Sequence, residues 1–266
     1  MPRGDKTAIM EYSIPVPPIE VQFEIVRVLN DLTRLTSEIT EKLTSELEKC
    51  KVQIDHAKNR VMSFDETVSY VRLDEYFPNI RNGFVGTVTK HFSDKNHGIR
   101  YLEGRNIHSG TISNDEEIYV SREFHNQHIR TELHEGDIVM VQSGHVGECA
   151  VVGPDIAGAN CHALIIMSNG GQCNSRFMMH YFQSFEGKSK LAKITTGETV
   201  KHILASAMQR FLVPVVSMDE QNRIVDILDS LGSSYNQLRE KMLSEIDARQ
   251  KQYEYYKDML LSFKEA

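Results

Sequence analysis

The stretch IPVPPIEVQFEIVRVLNDL, from Ile14 to Leu32, decides how the rest of the chain is interpreted, because a close relative of it occurs again. A shift of 199 residues places 14–64 on 213–263 without a gap, and 15 of the 51 aligned residues are identical. The second copy opens as VPVVSMDEQNRIVDILDSL. Self-similarity over this length indicates one structural unit that is built twice.

Each copy carries the signals of a helix that follows an extended approach. Proline disfavours the helical conformation for the residue before it, so the approach is extended. Acidic residues follow the prolines, with Glu20 in the first copy and Asp219 and Glu220 in the second, and they stabilise the positive end of a helix. In the second copy Gly232-Ser233-Ser234 predicts a kink or short break before a longer helix.

The longer helix of each copy, roughly 27 residues or about 40 Å, has one apolar stripe and a charged back. Steps of three and four residues keep the stripe on one side of a helix. The stripe positions that we expect at an interface are Ile39, Leu43, Leu47 and Ile54 in the first copy, and Leu238, Met242, Ile246, Tyr253, Tyr256 and Leu260 in the second. We expect the two helices to form an antiparallel coiled-coil spacer, or to pair with a second molecule; an ordinary helical hairpin is the alternative.

The residues between the copies have a different pattern. Short apolar and β-branched runs, such as GDIVMVQSG and HALIIMSN, alternate with Gly, Asn and Asp, which predicts a β-rich domain over 65–212. One helix is expected in NSRFMMHYFQSFEGKSKLAKI, with an apolar side that packs into the core: Phe177, Met178, Tyr181, Phe182 and Phe185. The predicted fold class is therefore α+β, with one β-rich domain flanked by two long helices.

Composition excludes several classes of protein. The chain has no apolar run long enough to span a membrane and its first residues lack the apolar core of a secretory signal, so a cytoplasmic protein is expected. The four cysteines form no CxxC pair, which favours reduced, buried thiols over disulfides or a metal site. The net charge of −7 argues against a simple nucleic-acid binder, although the run GKSKLAKITTGETVKH is basic.

Catalytic motifs are absent from the sequence, whereas polar and basic binding candidates are present. We find no GxxxxGK[ST], HExxH, GxSxG, GxGxxG or [DN]PP[YF] stretch. Amide and imidazole groups suit base edges, and ammonium and guanidinium groups suit phosphates. The expected base-contacting residues are Gln142, His145, Asn160 and His162. The expected phosphate-contacting residues are Lys90, Arg105, Lys188, Lys190, Lys193 and Lys201.

Together these stretches resemble a known family. A proline-bearing segment that includes Gln22 in one copy and Gln221 in the other, followed by a long charged helix ending in LLSF, resembles the conserved regions of type I restriction-modification specificity (S) subunits. The stretches YLEGRNI, GDIVMVQSGHVG and TTGETVKH resemble a target recognition domain of that family. The resemblance covers nearly the whole chain and implies four regions: a remnant recognition-domain tail at 1–13, helical regions at 14–64 and 213–266, and a recognition domain at 65–212.

The resemblance implies a non-catalytic, DNA-reading role. The S subunit reads double-stranded DNA and docks methyltransferase subunits, which hold S-adenosylmethionine, and restriction subunits; ATP and Mg²⁺ also belong to the partners, so the chain itself needs no cofactor. Family members usually have two recognition domains, whereas this chain has one, so we expect a half-subunit that forms a homodimer and reads a palindromic bipartite site. Two alternatives stay open: a coiled-coil scaffold with a β-rich ligand- or protein-binding domain, and an unrecognised hydrolase that uses His and Asp.

Overall fold

The computed structural model describes Met10 and residues 14–263, so most of the expected tail at 1–13 lies outside the described residues. The chain forms two compact units. One comprises residues up to Ile54 together with those from Gly232 onward, and the other comprises Asp55–Leu231. Two long helices, α1 (Ile19–Val61) and α7 (Met218–Leu261), contribute to both units. The structure confirms the mixed helix and sheet class.

In the first unit α1 and α7 pair in antiparallel fashion. The Thr33 hydroxyl donates to the Tyr253 hydroxyl at 3.3 Å, and Val21 and Ile25, near the start of α1, border the same hollow as Leu260, near the end of α7. Every predicted stripe position is half-buried except Leu238, which is 37% exposed. The stripe therefore faces the partner helix, and most of the charged residues between its members are exposed.

The predicted break at Gly232-Ser233-Ser234 is wrong. Helix α7 runs without interruption from Met218 to Leu261. Glycine in a helix interior costs only about 1 kcal/mol relative to alanine. The apolar contacts made by α7 on each side of Gly232 outweigh that penalty, so the helix continues.

The second unit is β-rich, as predicted, and contains twelve short strands among its described residues. They are β1 (Tyr70–Arg72), β2 (Asn79–Asn82), β3 (Phe92–Ser93), β4 (Ile99–Leu102), β5 (Ile107–His108), β6 (Thr111–Ile112), β7 (Ile118–Val120), β8 (Ile138–Val141), β9 (Cys149–Val151), β10 (Asn160–Cys161), β11 (Leu164–Ser168) and β12 (Leu212–Pro214). One four-stranded sheet has the order β2-β11-β8-β9 and is antiparallel throughout; the other has the order β10-β4-β7-β3. The pairs β1-β12 and β5-β6 form two smaller sheets.

Five shorter helices complete this unit: α2 (Leu73–Tyr76), α3 (Arg122–Gln127), α4 (Ser175–Gln183), α5 (Phe185–Ile194) and α6 (Ala205–Gln209). The main core lies between the β2-β11-β8-β9 sheet and helix α4, and it also receives the end of α1 through Met62 and the start of α7 through Ile224 and Leu228. The compact unit therefore extends beyond the predicted range 65–212. Burial of these apolar side chains fixes the start of α7 to the domain.

The expected single helix of 174–194 is instead two helices that meet at Ser184. The Ser184 hydroxyl accepts a hydrogen bond from the Gly187 N–H at 3.1 Å and caps α5. A Cβ at position 187 would lie 2.0 Å from the Tyr181 carbonyl oxygen, so only glycine fits this turn. Four of the five predicted core side chains are buried, but Phe185, the first residue after the break, is 77% exposed, which corrects its assignment to the core.

The two copies of the repeat differ in how their helix starts are covered. Val225 is 5% exposed, whereas the equivalent Val26 is 55% exposed. Gln221 is buried, and its amide accepts from the Asn174 N–H at 2.7 Å and donates to the Val216 carbonyl at 2.8 Å. The equivalent Gln22 keeps the second bond, to the Pro17 carbonyl at 2.7 Å. At these described positions the first copy thus keeps the local hydrogen bond of the second, while its Val26 stays largely exposed.

Candidate functional site

A cleft of about 400 Å³ in the second unit brings together three of the predicted binding residues. The loop that follows β8 forms one wall and contributes His145. Helix α5 and the loop after it form the other wall and contribute Lys188 and Lys201. All three side chains are exposed at this cleft. It therefore presents two ammonium groups and one imidazole in a chain whose net charge is −7.

The two loops are fastened to each other by His202. Its ring contacts the Gln142 amide nitrogen at 2.9 Å through Nε2 and the Ser143 hydroxyl at 2.6 Å through Nδ1. Its backbone pairs with Thr196 in both directions, and the neighbouring Ile203 N–H donates to the Gln142 carbonyl at 3.0 Å. Gly144 turns the first loop at a φ of 87°, a conformation that favours glycine. These bonds set the positions of His145 and Lys201.

Of the four predicted base-contacting residues, only His145 is freely exposed. Its ring stacks on that of His108, with centroids 5.8 Å apart. His162 is half-buried and its Nδ1 lies 3.2 Å from the Tyr101 hydroxyl. Gln142 is 7% exposed and held by His202.

Asn160 is fully buried, and its amide is committed to the interior. Its Oδ1 lies 2.7 Å from His125 Nδ1, and its amide nitrogen donates to the Thr131 hydroxyl at 2.9 Å and to the His128 carbonyl at 3.2 Å. In this arrangement Asn160 holds a loop in place and presents no polar atom to a base edge.

The predicted phosphate-contacting residues fall into two groups. Lys188 and Lys201 line the cleft, while Lys193 and Lys90 are exposed outside its lining. Arg105 is paired with Glu103 at 2.9 Å and with Glu116 at 2.6 Å, so its charge is already compensated.

Lys190 belongs to an internal network rather than to the surface. Its ammonium lies 2.8 Å from Glu186, donates to the Tyr181 hydroxyl at 2.9 Å and sits 3.9 Å from the centre of the Tyr70 ring. Burial raises the pKa of the Glu186 carboxyl, but hydrogen bonds from Lys190 and the two tyrosines outweigh it and leave that pKa lowered. Burial, together with the bond to Glu186, raises the pKa of Tyr70 to about 12. Lys190 therefore stabilises the domain.

Ser143 and His202 are not among the predicted base- or phosphate-contacting residues, although both lie in stretches that were expected to contain such residues. The two residues are 59 positions apart, and nothing in the local pattern pairs them. The signal that was available was weak: both stretches combine glycine with small polar residues between apolar runs. Their pairing is visible only once the two loops are folded together.

The metal-ligating and apolar side chains of the described residues also bear on the kind of site. No group of three or more His, Cys, Asp and Glu side chains within the described ranges could hold a metal ion. Among those same residues, no helix combines the length and apolar character that crossing a membrane requires. The three cysteines of the second unit are free and buried.

The chain is similar to one family of known proteins. A family model described as "Type I restriction modification DNA specificity domain" matches residues 1–49 and 82–248. The chain is 28% identical over 261 residues to the EcoR124I/EcoR124II specificity subunit of Escherichia coli, and 27% identical over 267 residues to a protein of Haemophilus influenzae described as a type I restriction enzyme specificity subunit. It covers 61% and 66% of those proteins, while 94% and 97% of the chain is aligned.

Two solved structures share the fold. A chain from a study of "complex assembly and conformational transition of the type I R-M system" aligns with a TM-score of 0.73 at 17% identity and covers 93% of this chain and 60% of its own length. The HsdS subunit of Thermoanaerobacter tengcongensis aligns with a TM-score of 0.57 at 17% identity, with the same coverage. The long helices and the β-rich domain described above are common to these structures. Because the family model matches most of the residues of this chain, the chain belongs to the type I restriction-modification DNA specificity family.

Proposed function

We propose that this chain is the DNA-reading, non-catalytic subunit of a type I restriction-modification complex. The observation that carries the proposal is the family match across both helical regions and the domain between them. The cleft supports it, because exposed His145, Lys188 and Lys201 are suited to the edges and phosphates of DNA. The chain spans only 61% and 66% of the length of the two relatives, so the activity of the whole complex is proposed for it and does not follow from the similarity alone.

The methyltransferase and restriction subunits are the proposed partners. They supply the S-adenosylmethionine, ATP and Mg²⁺ chemistry, and this chain positions them on DNA. The antiparallel pair of α1 and α7 is a suitable spacer, because each helix turns an apolar stripe toward the other and many of the remaining residues are charged.

The finer part of the proposal is a bipartite target. The start of α1 repeats the sequence that, at the start of α7, packs into the core of the second unit. In α1, however, Val26 and Phe23 are 55% and 69% exposed. A second chain that joins at this region brings a second recognition domain. Two identical domains related by a two-fold axis read a palindromic site with a fixed gap.

Methylome sequencing of cells with and without the gene tests the function. The expected result is one methylated motif, split by a non-specific gap, that disappears when the gene is deleted and returns with the intact chain. As a control, complementation with Lys95→Gln is expected to restore the same motif, because Lys95 lies outside the cleft, where it is paired with Glu117 at 2.8 Å. An unchanged methylome, together with no methyltransferase in a pull-down, contradicts the proposal and favours the scaffold alternative.

The dimer has its own test. Sedimentation of the chain with a duplex of the identified motif is expected to give two chains per duplex, and footprinting is expected to show two protected half-sites. A single undivided footprint with one chain per duplex refutes the palindromic reading and leaves the DNA-binding role intact.

A further inference from the structure

The loop after β8 carries three successive backbone N–H groups at residues that line the cleft. Among the described residues, the N–H groups of Gly144, His145 and Val146 have no acceptor, and these three residues all line the cleft. Successive N–H groups in a turn that includes a left-handed residue form a concave site that suits an anion. Gly144 is that residue, and no atom lies within 4 Å of where its Cβ would be, so the loop is open on that side.

The charged groups of the same cleft favour an anion as well. Lys188 and Lys201 contribute two ammonium groups, and Glu148 contributes one carboxylate. That carboxylate is already engaged, because its Oε2 accepts from the Ser109 N–H at 2.8 Å. The lining is therefore net positive, and its unengaged groups are mainly hydrogen-bond donors.

The Ser143 hydroxyl adds a further polar group, and His202 holds it in place. The His202 ring contacts the Gln142 amide through Nε2 at 2.9 Å and the Ser143 hydroxyl through Nδ1 at 2.6 Å. A hydroxyl can donate one hydrogen bond as well as accept, so Ser143 can offer a donor to an anion. Ser143 itself is exposed and immediately precedes Gly144.

We propose that this cleft binds one phosphodiester group of the DNA backbone, held by the three loop N–H groups, the Ser143 hydroxyl and the ammonium groups of Lys188 and Lys201. His202 is the positioning residue, since it fastens the two walls and holds Ser143 in place. This inference rests on the proposed function, which supplies the DNA. It differs from it by naming the chemical group and the atoms that receive it.

The backbone part is tested by amide chemical shifts of the full, deuterated chain. Addition of inorganic phosphate, against chloride at equal ionic strength, is expected to shift the Gly144, His145 and Val146 amide protons downfield, and a short duplex is expected to shift the same three. His202→Ala abolishes both responses, whereas His202→Asn, which keeps a side-chain amide near the Nδ1 position, restores part of them. If the three amides move no more than those of other exposed loops, the cleft is not a phosphate site.

The charged part is tested by the salt dependence of duplex binding. Each phosphate contact contributes about 0.9 to the slope of log K against log salt. Lys188→Gln with Lys201→Gln is therefore expected to reduce the slope by about 1, so that affinity falls about 3- to 4-fold less between 50 and 200 mM salt. Ser143→Ala, which removes an exposed hydroxyl, is expected to lower the affinity for all duplexes by the same factor, whatever their sequence. Lys95→Gln is expected to change neither the affinity nor the slope.

The outcomes separate the two proposals. Duplex binding by the native chain with an unchanged slope in the double lysine variant overturns the cleft proposal and leaves the DNA role standing. If the native chain binds no duplex and supports no methylation, the proposed function fails, and the response to inorganic phosphate alone then decides whether the cleft is still an anion site.

Discussion

The twin valines Val225 and Val26 give a quantitative test of the difference between the two joints. Both lie in the first turns of long helices at matching positions of the repeat, and their exposed fractions are 5% and 55%. Replacing each by alanine removes the same two methyl groups from the same helical context. Any gain in helix propensity is therefore common to both variants and cancels in their difference.

The expected difference in the free energy of unfolding is about 2 kcal/mol. Two buried carbons are worth about 1.6 kcal/mol at roughly 0.8 kcal/mol each, and the small cavity left in the core adds to this. For Val26→Ala the loss is under about 0.5 kcal/mol, the usual size of a surface change. Val225→Ala should therefore destabilise the second unit, and Val26→Ala should leave the first unit, to which Val26 belongs, almost unchanged.

Hydrogen exchange measured by mass spectrometry reports each unit separately. For Val225→Ala, peptides from β8 and β11 are expected to exchange about 30-fold faster, since each 1.4 kcal/mol is a factor of ten. For Val26→Ala, peptides from the part of α1 in the first unit should exchange at nearly the native rate. Equal effects of the two variants, or a change of less than about 0.5 kcal/mol for Val225→Ala, would refute the view that only the second joint is covered.

Three other outcomes follow from individual side chains. Burial lowers the pKa of His180 despite its contact with Asp229, so the folded form stays neutral at a pH where the unfolded chain gains a proton. The free energy of unfolding should therefore fall as pH drops below about 6.5. His180→Gln should flatten that fall in urea titrations at several pH values. Lys190→Gln should cost about 1 kcal/mol of stability, whereas Lys193→Gln on the same helix should stay within about 0.5 kcal/mol in the same titrations; similar losses would contradict the internal role of Lys190. Burial raises the pKa of the thiols of Cys149, Cys161 and Cys173, to about 12 for the last two. A maleimide should therefore label only Cys50 in the native chain, and Cys50→Ser should abolish labelling.

The parts of the fold that the sequence predicted are those governed by local periodicity. The stripes of α1 and α7 were predictable because an apolar face repeated at helical spacing has to be covered. The uninterrupted α7 was not, because Gly232 is only a weak breaker and the balance depends on packing on both sides of it. The exposure of Phe185 was also out of reach, since the break before it depends on the close approach of Gly187 to Tyr181.

The candidate site divides in the same way. The residue types of the cleft were predicted, because lysine, histidine and glycine in two loops are typical of nucleic-acid contacts. Which lysines face outward was not, since Lys188 and Lys190 are about 200° apart around a helix whose buried side is unknown beforehand. Asn160 looked like a base reader, but its partners His125 and Thr131 come from a distant segment of the chain. Neither distinction has a local signal.

The buried amide of Gln221 has a consequence for the register of the start of α7 within the second unit. Apolar contacts such as those of Ile224 and Leu228 tolerate small sliding and rotation, because they have no preferred direction. The amide does not, since its oxygen must meet the Asn174 N–H and its nitrogen the Val216 carbonyl. A shift of the helix by one residue would leave both ends unsatisfied, at a cost of about 1–3 kcal/mol for each group. The Gln221 amide thus fixes the register of the start of α7 within the second unit, while the surrounding apolar residues add contacts that have no preferred direction.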